Sequence, residues 1–394
     1  MARSVSRSRQ ITYEQDKLLD GIRRRQDRLL SLLRDLVELE SPSHNKAAVN
    51  ACVDRVEREC ARIGGRVRRH RRKEFGDLLE VRFGRTGRGA KPVMLLGHLD
   101  TVWEVGTLGN MPFRIANGRV WGPGTLDMKA GVAMALTALE LLLETEALDR
   151  PALLLLVSDE EIGSPVSRPV TEKLASECKA VFVLEPAQGL AGAYKTARKG
   201  VGEYTLQVKG VAAHSGVDFE RGHSAIVELA RQVGVVQGFT DLSRGITVNV
   251  GTIEGGTRSN VIAAEARTTV DVRIAKSADA ARVQRKFRGL RVVDRGCVLT
   301  VEGGLNRPPM ERTRGTVELF RRAATLAEAM GFGLEEASTG GGSDGNFTSA
   351  LGIPTLDGMG AVGEGAHALH ESVVLKELAP RTALLAAMLL KPEG

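Results

Sequence analysis

Cysteine is scarce in this 394-residue chain, and what there is does not cluster. Cys52, Cys60, Cys178 and Cys297 stand apart with no Cys-x-x-Cys pair, which argues against a disulfide framework or a thiolate zinc site and suits a reducing cytoplasm. No apolar stretch approaches about 18 residues without a charge, so no transmembrane helix is expected. The basic start, Met-Ala-Arg-Ser-Val-Ser-Arg-Ser-Arg, lacks the apolar segment of a signal peptide, and residues 1 to 15 read as a loose Ser/Arg-rich terminus. Aromatic residues make up only 4% of the chain, and none interleaves with the densest basic run, Arg66 to Lys73. Despite a net charge of +7, that run reads as a solvated edge or loop, and no nucleic-acid partner is expected. Gly84 to Lys91 lacks the Gly-Lys-Ser/Thr ending of a phosphate loop and reads as a turn between strands. Internal repeats and low-complexity linkers are missing too.

What is present is ordinary globular composition, 42% hydrophobic and 26% charged, at a length that accommodates two domains. Residues 12 to 40 carry helical periodicity, ended by Ser41-Pro42-Ser43, and 45 to 63 form a second amphipathic helix that stops at Gly64-Gly65. Three short apolar runs, Val93 to Leu96, Ala152 to Val157 and Ala180 to Leu184, read as buried parallel strands, and the Ala/Leu-rich segment 129 to 147 reads as a helix. This is α/β grammar. From about Gly200 it changes: Tyr204, Leu206 and Val208 alternate with polar residues, a helix follows at about 221 to 238, then strands near 245 to 254 and 264 to 274. A helix at 277 to 289 and a strand at about 297 to 302 complete the order β-α-β-β-α-β, the ferredoxin-like pattern. Runs of the first type resume after Arg307-Pro308-Pro309. The expected division is 1–198 and 308–394 as one domain, with 199–307 inserted.

Each apolar run leads within a few residues to a metal-ligating residue type: Gly-His-Leu-Asp at 97 to 100, Asp-Glu-Glu at 159 to 161, and Glu185-Pro186. Open α/β sheets gather their chemistry beyond the carboxyl ends of the strands, so His98, Asp100, Glu160, Glu161 and Glu185 are expected to converge. Asp127, in Gly-Pro-Gly-Thr-Leu-Asp-Met-Lys, and His367 complete a set of hard oxygen and imidazole ligands suited to two metal ions. Singly, each has a plainer explanation as a turn, a core residue or an acidic helix start. Their joint occurrence at three strand ends is what points to a hydrolytic site. Zinc suits such ligands, with manganese or cobalt as alternatives. One of the adjacent pair Glu160 and Glu161 is expected to bind metal while the other faces the reacting water, because consecutive side chains diverge at a strand end.

Gly97 to Val102, Gly122 to Gly131, Asp159 to Gly163, Leu184-Glu185-Pro186 and Gly365-Ala366-His367 together resemble the successive signatures of the co-catalytic zinc aminoacylase and carboxypeptidase family. The similarity is strongest to its bacterial glutamate carboxypeptidase branch, of the carboxypeptidase G type. It runs from about residue 30 to the C-terminus. The resemblance implies a zinc-peptidase-like catalytic domain, α/β with a mixed, largely parallel sheet flanked by helices, carrying an inserted ferredoxin-like lid through which the chain forms a homodimer. It also implies two zinc ions per chain. Asp127 would bridge them, His98 and Glu185 would complete one site, and Glu161 and His367 the other. Glu160 would be the general base and then acid, and Asp100 would orient His98. His370 competes with His367 for the last position, but His367 with Glu371 matches the family's His-x-x-x-Glu pattern.

Within the insert, His214 in Ala213-His214-Ser215-Gly216 is similar to a lid histidine that stabilises the oxyanion. Asn260 and Arg273 look like residues that hold the substrate's carboxylate, Arg307 looks like a hinge arginine that glutamate-specific members direct at the substrate, and Gly341 and Gly342 belong to a glycine loop that approaches substrate closely. Ala263 stands where the family usually has proline, at a position that ligates nothing, and Arg198-Lys199 and Arg258 add positive charge to the insert. The resulting expectation is an amidohydrolase acting on small acidic N-acyl amino acids or short peptides, with glutamate as the released residue. An N-acyl-amino-acid deacylase of other specificity shares the machinery, and a basic binding protein that has lost catalysis is a remote third reading.

Overall fold

The computed structural model describes residues 15–84 and 90–391. The terminus expected to be loose falls almost entirely outside the described residues, as does most of the turn between Gly84 and Lys91. The chain divides into two compact units. One comprises residues up to Ala197 with Arg312–Thr339 and the segment from Ser343 onward; the other comprises Arg198–Glu311 with Gly340–Gly342.

In the first unit, residues 15–23 are helical, and α1 (Gln26–Glu38) follows after a turn. A periodicity expected to run unbroken over 12–40 is thus interrupted. The Arg23-Arg24-Arg25 triplet offers nothing apolar to the stripe, and the half-buried Arg25 bonds the Gly21 carbonyl and pairs with Glu144. Helix α1 buries Leu29, Leu32, Leu33, Leu36 and Val37, one helical face. Asn45 caps α2 (Lys46–Arg62) by accepting the Ala48 N–H at 3.1 Å.

The strands β1 (Arg66–His70), β2 (Leu78–Phe83), β3 (Val93–His98), β4 (Arg114–Ala116), β5 (Arg119–Trp121), β6 (Ala152–Val157) and β7 (Ala180–Val183) come next in the chain, with α3 (Ala130–Glu144) before β6 and α4 (Arg168–Ser176) before β7. β3, β6 and β7 are buried along their whole length, as continuous apolar runs require. β3 runs parallel to both of its neighbours, with His98 opposite Val157 and Leu96 opposite Val183, so the three strands end together. The basic run forms edge strand β1, antiparallel to β2. Arg69 is tied to Asp54, Glu57 and Asp77, and His70 to Glu80.

The second unit contains β8 (Gly200–Lys209), α5 (Ala225–Gln237), β9 (Thr247–Gly255), β10 (Glu265–Ile274), α6 (Ala280–Arg288) and β11 (Val298–Arg307). Its sheet has the order β9-β10-β8-β11, all antiparallel, which is the ferredoxin-like arrangement. Tyr204, Leu206, Val208, Leu229, Val270, Val272 and Phe287 form its core, with the Tyr204 and Phe287 rings stacked 3.8 Å apart.

Back in the first unit, α7 (Arg314–Ala329) precedes β12 (Thr355–Leu356), which completes the main sheet in the order β1-β2-β6-β3-β7-β12. β13 (Gly363–Glu364) and β14 (Ser372–Val374) join β5 and β4 in a small antiparallel sheet, and α8 (Leu375–Leu389) ends the fold. Cys52, Cys60, Cys178 and Cys297 are all free and buried. Among the described residues, no helix is long and apolar enough to cross a membrane.

Candidate metal centre

The common carboxyl end of β3, β6 and β7 presents His98, the turn Ser158 to Glu161, and Glu185. Asp127 arrives from the Gly122 to Lys129 loop. Gly124 in that loop has φ +67°, and a Cβ there would lie 2.6 Å from the Thr101 methyl, so only glycine lets the loop close on the strand ends. A Cβ on Gly131 would lie 2.1 Å from the Leu184 carbonyl, so α3 packs directly against the segment carrying Glu185. The Asp127–Met128 peptide is cis. His367 sits in the left-handed region at φ +62°, which turns its imidazole back toward the same point.

Asp127 divides its carboxylate between two imidazoles. Oδ1 lies 3.2 Å from His98 Nε2, and Oδ2 lies 3.3 Å from His367 Nε2. His98 Nε2 is also 3.6 Å from Glu185 Oε1, and His367 Nε2 is 3.3 Å from Glu161 Oε2. Glu160 offers a carboxylate oxygen to the same cluster as His98 and Glu185. His367, rather than His370, therefore faces Asp127 and Glu161.

Electrostatics show what this cluster wants. Hydrogen bonds that His367 donates to the Asp127 and Glu161 carboxylates hold its pKa up at about 10. Burial opposes charge on His98, but Asp127 and Glu185 outweigh it and keep its pKa well above the usual imidazole range. Asp127, although buried, is pulled far below the ordinary carboxylate value by the same two imidazoles. Glu161 Oε1 is buried without a hydrogen-bond partner. A convergence of carboxylates that draws in positive charge from both sides and leaves a buried oxygen unsatisfied fits cations. His98, Asp127, Glu161, Glu185 and His367 are the residues that would hold them.

Around the cluster, the carboxylate of Asp100 accepts the backbone N–H groups of Glu160 at 3.2 Å and Glu161 at 3.1 Å, and the Ser43 hydroxyl at 2.7 Å. Its backbone carbonyl is 2.9 Å from His98 Nδ1, while the carboxylate stands 3.6 Å away. Asp100, expected to orient His98, thus meets its Nδ1 chiefly through the main-chain carbonyl. Glu160 to Ile162 form a 3-10 turn rather than a strand end, which is what separates the two Glu side chains. Sequence reasoning gave no role to Ser43, Trp103, Lys129 or Glu371. Lys129 is fully buried, with Nζ 2.9 Å from the Leu39 carbonyl, and Glu371 accepts backbone N–H groups of the Asp127 loop. The only signal for Glu371 was its spacing from His367.

The remaining expected site residues belong to the second unit. His214 is exposed, and its Nδ1 accepts the Gly216 N–H at 3.2 Å. Asn260 is exposed, and its carbonyl accepts the Ser215 N–H. Arg273 is bonded to Asp271 at 2.8 to 3.1 Å, Arg307 is buried, and the carbonyls of Gly341 and Gly342 accept from Arg198.

The chain matches the sequence model of peptidase family M20/M25/M40 over residues 94–391. It is 28% identical over 378 residues to carboxypeptidase G2 of Pseudomonas sp. (strain RS-16), covering 94% of this chain and 90% of that protein. It is 26% identical over 315 residues to succinyl-diaminopimelate desuccinylase of Stenotrophomonas maltophilia (strain R551-3), covering 74% of this chain and 81% of that protein. The fold matches the crystal structure of aminopeptidase PepT from Bacillus cereus ATCC 10987 with a TM-score of 0.74 at 24% identity, covering 92% of this chain and 98% of that one.

Proposed function

Because this chain belongs to peptidase family M20/M25/M40 and is a metal-dependent hydrolase of amide bonds, we propose that it releases a C-terminal acidic amino acid, foremost glutamate, from N-acyl or aminoacyl conjugates. The observation that carries the metal chemistry is the division of Asp127 between His98 and His367. Similarity to carboxypeptidase G2 along most of the chain supports release of a C-terminal residue, and the acidic preference rests on the resemblance of the motifs to the glutamate carboxypeptidase branch. We assign two zinc ions per chain, with manganese or cobalt as alternatives. When bound, such ions polarise a carbonyl oxygen and make water acidic near neutral pH.

Glu160 takes the proton of the attacking water and passes it to the departing amine, as its place beside His98 and Glu185 allows. His214 donates a hydrogen bond to the oxyanion. Asn260 and Arg273 hold the substrate's carboxylate, with Arg273 exchanging Asp271 for it; Arg307 is directed at the substrate as a hinge arginine, and the backbone of Gly341 and Gly342 approaches it closely. The second unit serves as the lid and as the surface through which a homodimer forms. We place the enzyme in the cytoplasm, where its free thiols stay reduced. Similarity to a desuccinylase favours a second reading, an N-acyl-amino-acid deacylase of other specificity.

The test is metal content measured alongside hydrolysis of N-acyl-L-glutamate, as purified, after chelation, and after zinc return. Glutamate release that disappears with the metal and returns with zinc supports the whole reading. Bound metal without release redirects the search to neutral acyl-amino acids, and neither metal nor activity overturns it.

A further inference from the structure

Glu371 is buried, and its carboxylate accepts four hydrogen bonds. Oε1 takes the backbone N–H of Leu126 at 2.8 Å and of Asp127 at 3.0 Å; Oε2 takes the Gly124 N–H at 3.0 Å and the Trp103 indole N–H at 2.8 Å. An ionised carboxylate offers about four lone-pair sites, so its accepting capacity is filled. Three segments of the metal centre meet in this one group. Trp103 continues the loop that begins at His98, Gly124 to Asp127 carry the shared carboxylate, and Glu371 closes the turn that presents His367. β14 starts at the next residue and pairs with β5, with Ser372 opposite Trp121 at the entrance to the Asp127 loop.

We propose that Glu371 is a positioning residue that sets the spacing of the two metal half-sites by pinning the Asp127 main chain to the His98 and His367 loops. This rests on the metal-dependent reading above. Asp127 can serve two imidazoles only if its backbone is fixed to within a fraction of an ångström, and its own N–H ends on Glu371. A glutamine at 371 keeps one acceptor oxygen but places an NH2 group against two N–H donors, so half of the arrangement becomes repulsive.

The experiment compares metal-stripped wild type, Glu371→Gln and Trp103→Phe, titrated with Co2+ while stoichiometry, affinity and visible absorption are recorded. In the wild type two ions are expected to bind. Glu371→Gln should weaken at least one of them by about 10- to 100-fold, the usual effect of losing an orienting partner, and alter the Co2+ absorption. Trp103→Phe removes one donor of four and should shift binding in the same direction by less. A Glu371→Gln protein with wild-type affinities and spectrum overturns the proposal, even if its Tm falls, because loop capping alone would explain that. Should Glu371→Gln fail to fold, Trp103→Phe decides, and unchanged binding there overturns it. Wild-type protein that binds no Co2+ overturns the metal reading first, before any variant is compared.

Discussion

His98 leans on the main chain of Asp100: its Nδ1 is 2.9 Å from the Asp100 carbonyl oxygen and 3.6 Å from the carboxylate of the same residue. The carboxylate holds the Glu160 and Glu161 N–H groups and the Ser43 hydroxyl instead. Asp100→Asn should therefore leave His98 supported while loosening the turn that carries Glu160 and Glu161. We expect near-normal metal content at saturation with kcat lowered by about 10- to 100-fold. Loss of metal with no separate effect on kcat would return Asp100 to the simpler role of a His98 support.

Glu160→Gln keeps the shape of the side chain and removes its ability to carry a proton. Metal content should stay at the wild-type level while kcat falls by about 100- to 10,000-fold. Turnover that survives the substitution takes Glu160 out of the mechanism.

The Gly216 N–H donates to His214 Nδ1 at 3.2 Å, which leaves the neutral ring its proton on Nε2, the form that donates to an oxyanion. His214→Ala should fold, as judged by circular dichroism, retain its metals, and lose about 100- to 1,000-fold in kcat. Full activity in that variant would discard the oxyanion assignment.

Glu59 ties α1, α2 and α3 together through arginines. Arg28, Arg55 and Arg62 all bond it, and Arg28 and Arg62 also reach Glu140. Burial alone would raise its pKa, but Arg62, Arg28 and Arg55 pull it down to about 2. A carboxylate depressed in the folded state stabilises at every pH above its unfolded value of about 4.3, and that contribution disappears as pH falls toward 2. Glu59→Gln should cost about 1 to 3 kcal/mol near neutral pH, less than the full shift because the arginines are partly solvated. Its urea midpoint should also vary less than the wild type's between about pH 4.5 and 2. Parallel pH profiles for the two proteins would remove Glu59 from the acid response.

Much of the centre was legible because apolar runs of four to six residues mark buried strands, and the residues just beyond them have nowhere to go but the sheet's end. His98, the pair Glu160 and Glu161, and Glu185 fall to that argument, while Asp127 and His367 were found by residue type and by the resemblance of their motifs. Glu371, Ser43 and Trp103 did not, because their partners are mostly main-chain atoms or residues far away in sequence, and such bonds leave no period behind. The same holds for β4, β5, β13 and β14, each two or three residues long and too short to show alternation.

The four buried cysteines give the molecule built-in clocks. Burial pushes the Cys60 and Cys178 thiols up to about 12, and Cys52 and Cys297 are raised as well, so in the folded protein none should react with an alkylating reagent at neutral pH. Cys52, Cys60 and Cys178 lie in one unit and Cys297 alone in the other. Mass spectrometry of thiol labelling in mild denaturant would then time the opening of each unit separately, and a cysteine engineered on the surface would accept a probe against a silent background.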